Sequence, residues 1–335
     1  MRKLLRGVAA MAMLAAMGGH ALAADYTVKV SSPTNNDSIL KWMEAFEKRL
    51  EPASGGAIDV QLYPANQLGQ IPATIEGVAT GTIEVTAPAS SFFVKYDPRF
   101  EVFDVPGLFN DLAHAQRALS DPAVLDRLET YGASQGLHPI AAFPHGPLGI
   151  VSRTKVDTMA ALKGQRIRVA GPSALATGPF AALGAAPVSM PLGEVLPALQ
   201  NGVVDGMIAG LPVFTTGRYY DAVKDLTILP ESYLVVTAVA SQTFLDMIGA
   251  ELAEKVRIAA REAIGDANSW NLKAVEGVQG AWTSNGGRIV TLGDADAKGY
   301  LDAVFATLPK AFEQNKALEA ELGFLRGVAE RRASN

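Results

Sequence analysis

In YTVKVSSPTNNDSILKWMEAFEKRLEPASGGAIDVQLY, Tyr26 to Tyr63, the spacing of apolar residues changes period twice. Tyr26, Val28 and Val30 alternate with polar neighbours, the period of a strand with one buried face. Ile39, Leu40, Met43, Phe46 and Leu50 then recur at helical spacing behind Asp37 or Ser38 as cap, and Ser54-Gly55-Gly56 stops the run. Ile58, Val60 and Leu62 restore the period of two. A helix near Ile71 to Thr80, with Ile71, Ile75 and Val78 on one face, and a strand at Thr82 to Thr86 extend the alternation. Strand, helix, strand, helix, strand is the start of an α/β unit built on a parallel sheet.

A second unit follows Leu137. His138 to Phe143 and Leu148 to Ser152 read as two strands joined through PHGP. A short helix at Asp157 to Leu162, a strand at Arg166 to Val169, a helix at Ser173 to Leu183 that Pro179 kinks or delimits, a strand at Pro187 to Met190 and a helix at Gly193 to Gln200 come next. Tyr233 to Ser241 is again strand-like, and Glu251 to about Trp282 reads as one helix, about 45 Å long at ~1.5 Å per residue. The expected architecture is two α/β lobes around a hinged cleft, with that helix lying across both. Lobe I takes residues 24–146 plus about 235–275, and lobe II 147–234 plus about 276–335. Ligands of such sheets sit at the carboxyl ends of strands, so TAPASSFF, FPHGPL, RVAGPS and DGMIAGLPVF are the loops expected at the cleft.

The ends and the composition bound the function. Arg2, Lys3 and Arg6, an apolar run from Gly7 to Gly19 and Ala21-Leu22-Ala23 have the order of a secretory signal, so cleavage is expected after about Ala23. Loss of three basic residues takes the net charge from −5 to −8, a charge repelled by nucleic acid and anionic lipid. No other apolar run is long enough to cross a bilayer, and the absence of cysteine excludes disulfides and thiolate chemistry. His114, His138 and His145 have no metal-ligand spacing, and no nucleophile elbow, phosphate loop or dinucleotide fingerprint occurs. The reading is of an exported soluble protein with no nucleic-acid partner, no membrane insertion, no cofactor, no metal and no catalytic residue.

In LKGQRIRVAGPSA, Leu162 to Ala174, two arginines share one strand face and Ile167 and Val169 the other. Spacing alone leaves both as solvated charges or one of them as an anion clamp beside a turn that opens a helix.

Several motifs, in order along nearly the whole chain, resemble the periplasmic solute-binding proteins of TRAP transporters, tripartite ATP-independent carriers, of the C4-dicarboxylate-binding type. They are LYPANQLG (62–69), EGVATGTIEV (76–85), FDVPGLF (103–109), LKGQRIRV (162–169), LGAAPVSMPLGEVLPALQNGVVDG (183–206) and YYDAVKDLT (219–227). The resemblance implies capture of a small organic anion by hinge closure, without turnover, and delivery to a small and a large membrane subunit whose transport is driven by an ion gradient. It assigns the substrate carboxylate to Arg168, where a planar guanidinium can hold both oxygens, and leaves Arg166 as an ordinary surface charge.

Three positions depart from the family pattern: Leu148 stands where many relatives have a second arginine, Ala209 where they have an asparagine, and Ala89 where a glutamate is frequent. The expected site is one anion clamp with apolar walls, from Leu148, Met207, Ile208, Ala209, Phe214 and Phe93, and with Ser90, Ser91, Ser173 and His145 as candidate hydrogen-bonding groups. The expected ligand is a monocarboxylate with an apolar or aromatic body. A dicarboxylate or sugar-acid binder, a sensory binding protein and a periplasmic enzyme on the same fold are the alternatives.

Overall fold

The computed structural model describes residues 24–333, so the expected signal segment lies outside the described residues. In chain order the first half comprises β1 (Tyr26–Ser31), α1 (Ser38–Ala53), β2 (Ile58–Tyr63), α2 (Ile71–Thr80), β3 (Val85–Thr86), α3 (Leu112–Leu119), α4 (Pro122–Leu128) and β4 (Leu137–Ser152). The second half comprises β5 (Arg166–Val169), α5 (Ala174–Ala182), β6 (Ala186–Ser189), α6 (Leu192–Gln200), β7 (Gly206–Gly210), α7 (Leu211–Thr216), β8 (Asp225–Ser241), α8 (Gln242–Ser284), β9 (Arg288–Val290), α9 (Asp294–Gln314) and α10 (Lys316–Arg332). Among the described residues no helix is long and apolar enough to cross a membrane.

The opening segment folds as its periodicity requires. Asp37 is the cap of α1, its Oδ1 accepting from the amides of Ile39 and Leu40 at 3.0 and 3.2 Å. Trp42, on the buried stripe of that helix, is fully enclosed and stacks on Phe46 with centroids 5.2 Å apart. β1 pairs in parallel with both β2 and β3, as the alternation with helices demands.

The lobes are not separate sheets. One sheet runs β2-β1-β3-β8-β4-β7-β5-β6, with β9 added on β8. His138 to Phe143 and Leu148 to Ser152, expected as two strands, are the two ends of the 16-residue β4, and β8 begins at Asp225 rather than Tyr233. These two long antiparallel strands pass through both lobes, and their register shifts at Pro139/Ala141, Pro144/Gly146 and Pro147/Gly149. PHGP is therefore a bulged crossing, where prolines sit without removing regular ladder bonds.

The long helix is present and spans both lobes. Its straight part follows Gly249, whose φ of +78° breaks the first turns from the rest. Three buried donors tie it down along its length: Trp42 Nε1 donates to Ala260 O at 2.9 Å, Asn271 Nδ2 to Pro144 O at 2.8 Å and Trp282 Nε1 to Lys224 O at 3.0 Å. The first holds lobe I, the second the crossing of β4 and the third lobe II.

Around this spine lie four apolar clusters, two on each lobe. α10 packs on α3 and on the 3-10 segment Pro98–Asp104, with Leu318, Leu322 and Leu325 buried beside Phe100 and Val102. The end of the chain thus returns to lobe I, whereas the sequence reading left it with lobe II. The helix expected at Asp157 to Leu162 is a single 3-10 turn, Met159–Leu162.

Candidate ligand site

A cavity of about 90 Å³ lies where the lobes meet, at the carboxyl end of β5 and against the loop after β3. Arg168 is on its wall, and the two arginines of RIRV have different fates. Arg166 is exposed and holds Asp205 across the strand end, with Nη2 donating to Oδ1 at 2.7 Å and Nε to Oδ2 at 3.0 Å. That pairing raises the Arg166 pKa and lowers that of Asp205. Asp205 also accepts the Arg166 amide, so it orders the start of β5 rather than its own turn alone.

Arg168 is 2% exposed. Its Nε donates to Met190 O at 3.0 Å and its Nη1 to Ile208 O at 3.4 Å, while Nη2 makes no hydrogen bond among the described residues. Among the described residues no carboxylate pairs with it. Burial pulls its pKa down to about 10, with the Tyr219 hydroxyl as the one ionisable neighbour acting on it, so the guanidinium stays charged at neutral pH. A buried cation held only by carbonyl oxygens lacks a counter-charge, and leaving a charge in that condition costs several kcal/mol, order of magnitude.

The expected site residues divide cleanly. Ser91, His145, Leu148, Arg168, Ile208 and Ala209 line the cavity. So does Ala89, which puts all three positions where the resemblance implies polar residues in relatives on the cavity wall.

The other five do not line it. Ser90 is turned inward, bonding Val235 O at 3.0 Å and the Thr237 hydroxyl at 2.8 Å. Phe93 is core, 5.0 Å from Phe100 between centroids, and its neighbour Phe92 reaches the cavity instead. Phe214 packs edge-on against Trp282 and Tyr219, leaving Val213 to face the cavity. Met207 points into the lobe II core. Ser173 caps α5, its hydroxyl accepting from Ala176 N at 3.1 Å.

His145 is fully buried where β4 crosses between lobes. Its Nε2 lies 3.0 Å from Asp37 Oδ2, so the carboxylate that caps α1 also fixes the imidazole. Its Nδ1 is buried and has no hydrogen-bond partner among the described residues, on a residue that lines the cavity. Asn35 and Asn36, two residues before the helix, do not cap it.

Three polar residues of the wall escaped the sequence reading, Thr34, Asp104 and Tyr300. Asp104 lies inside FDVPGLF, where it reads as a turn residue. Tyr300 comes from α9, far along the chain, and only the packing of α9 on α5 brings it to the site.

Comparison with known proteins agrees with this geometry. Residues 30–315 match the DctP family, described as bacterial extracellular solute-binding protein, family 7. The chain is 30% identical over 219 residues to the 2,3-diketo-L-gulonate-binding periplasmic protein YiaO of Escherichia coli, covering 65% of this chain and 66% of that protein, just under two thirds of its length. It is 28% identical over 286 residues to the C4-dicarboxylate-binding periplasmic protein DctP of Rhodobacter capsulatus, covering 83% and 84%. Among solved structures, a TRAP periplasmic solute-binding protein of Sulfurospirillum deleyianum with bound succinate superposes with a TM-score of 0.82 at 25% identity, over 91% of this chain and 99% of that one. One from Desulfovibrio salexigens with bound orotic acid gives 0.84 at 23%, over 92% and 99%. With a two-lobed fold, a cleft cavity and a family match over most of its length, the chain belongs to the DctP family of TRAP-type extracellular solute-binding proteins.

Proposed function

We propose that this protein captures a small organic acid in the periplasm, holds its carboxylate on Arg168 and passes it unchanged to the small and large membrane subunits of a TRAP transporter. The observation that carries the reading is the buried guanidinium on the cavity wall with no counter-charge among the described residues. An incoming carboxylate supplies that charge and can take two parallel hydrogen bonds. Closure without an anion leaves the charge uncompensated, which favours the shut cleft only when ligand is present. The ligands printed for the two relatives and two solved structures named above, a diketogulonate, C4-dicarboxylates, succinate and orotate, are carboxylates, and a further solved structure holds another anion, sn-glycerol-3-phosphate.

The ligand we favour is a monocarboxylate with an apolar body. Ala89, Leu148 and Ala209 offer nothing to a second carboxylate, and burying one unpaired costs several kcal/mol, order of magnitude. The cavity, at about 90 Å³, is smaller than the ~150 Å³ space that holds benzene elsewhere, which favours a compact aliphatic body over an aromatic one.

A thermal-shift screen of organic acids tests both statements. A ligand at 100 times its dissociation constant stabilises by about 2.7 kcal/mol, and Arg168→Ala should abolish the response. An equal response in the alanine variant removes Arg168 as the clamp. Succinate or malate leading the screen removes the monocarboxylate preference. Mass analysis of the recovered ligand should show it unaltered.

A further inference from the structure

The anion reading leaves a second polar group of the cavity unused. Asp104 ends the 3-10 segment Pro98–Asp104 and lines the cavity, and its Oδ2 is buried with no hydrogen-bond partner among the described residues. Three groups face it: Glu101 from its own segment, the Ser173 hydroxyl from the start of α5, and Tyr300 from α9. Glu101 is already committed. Its Oε1 accepts the Leu175 amide at 2.9 Å and its carboxylate also serves the Ala174 amide, so its negative charge is anchored on the N-terminus of α5. Tyr300 is shared with Ser232, hydroxyl to hydroxyl at 3.3 Å.

A second negative charge beside Glu101 in this dry corner is repelled. Burial and that repulsion push the Asp104 carboxyl up to about 8, so it holds its proton at neutral pH. A protonated carboxyl is a donor, and this one belongs to a residue of the cavity wall whose Oδ2 has no partner among the described residues. Asp104 and Arg168 both line this one cavity.

We propose that Asp104 is a second recognition point, an O–H donor for a neutral oxygen on the body of the acid whose carboxylate Arg168 holds. This rests on the function proposed above and narrows it. The ligand class is a hydroxy or oxo monocarboxylate, with apolar carbon between its two oxygenated ends. A dicarboxylate would set a charge beside Glu101, and an ammonium would require Asp104 to give up its proton.

Calorimetric titration of the full chain with ω-hydroxy acids of four to six carbons, against their unsubstituted, ω-amino and dicarboxylate counterparts, tests the assignment. At the best-fitting length the hydroxy acid should bind at least tenfold tighter than the unsubstituted acid. Asp104→Ala should reduce that advantage to under twofold, and Asp104→Asn, whose amide still donates, should keep most of it. Equal affinities for hydroxy and unsubstituted acids at every length overturn the assignment in the wild-type protein alone, whether or not a variant folds. An ω-amino acid or dicarboxylate in the lead also overturns it. If acids bind through Arg168 without any oxygen preference, only the Asp104 role falls. If no acid binds at all, the anion reading falls and takes this one with it.

Discussion

Two arginines two residues apart in sequence and on the same strand face differ because of what the chain puts beside them. Arg166 meets Asp205 at the protein surface, and Arg166→Ala should leave ligand affinity unchanged in the titrations above. Arg168 is buried on the cavity wall and meets carbonyl oxygens. Arg168→Met keeps most of the volume and removes the buried charge, so the ligand-free protein should gain about 1–3 kcal/mol in denaturant unfolding while losing all acid binding. Asp104 supplies a pH signature of its own. Folded, it keeps a proton until about pH 8, whereas a free aspartate loses it near pH ~4. Between those limits the folded state binds more protons than the unfolded one, so stability is full below pH ~4 and is lost as pH rises through about 8. Glu101, raised by burial, acts in the same direction. Asp104→Asn removes the larger share, so the melting temperature of the variant relative to wild type should climb between pH 5 and 8.5. A constant difference across that range would place the proton elsewhere.

Secondary structure was largely legible in the sequence where period alone decides it. The β1-α1-β2-α2 start, β5 and α5 with its Ser173 cap stand where apolar spacing and capping residues put them. What failed was phase within turns and continuity through proline. In the 3-10 turn Ser90–Phe93 adjacent phenylalanines take different environments, and no local pattern says whether residue 92 or 93 turns to the cleft. The same one-residue ambiguity separates Val213 from Phe214, and along β7 successive side chains leave opposite faces, which sends Met207 to the core. Pro144 and Pro147 read as a strand break, yet each sits at a register shift of an unbroken strand. The loops that meet across the cleft make one glycine decisive. A Cβ on Gly171, just after β5, would stand 2.7 Å from Ser91 O in the loop after β3. Gly171→Ala should therefore oppose closure, weakening ligand binding roughly tenfold, about 1.4 kcal/mol. The ligand-free melting temperature should stay level or rise slightly, because alanine restricts the unfolded chain.

Across the whole molecule, the lobes share two strands and one helix, so the closure proposed above would have to bend β4 and β8 near their bulges, with α8 tied by hydrogen bonds at Ala260, Pro144 and Lys224. The sequence suggested two lobes and a bridging helix, because helix length and alternation are local properties. It did not suggest a common sheet, because strand neighbours are set by packing between distant segments. That sharing has a consequence in time as well as in space. The next strand to β3 in lobe I is the end of β8, with Val85 paired to Ala240. A nascent chain carries β1, β2 and β3 long before it carries their missing neighbour, and contacts of such separation form late and slowly. A fragment ending before Asp225 should show no cooperative melting transition, and the whole chain a single one. A polypeptide that cannot finish its first lobe until most of it has been synthesised remains threadable through a narrow translocation channel for almost the entire duration of its making.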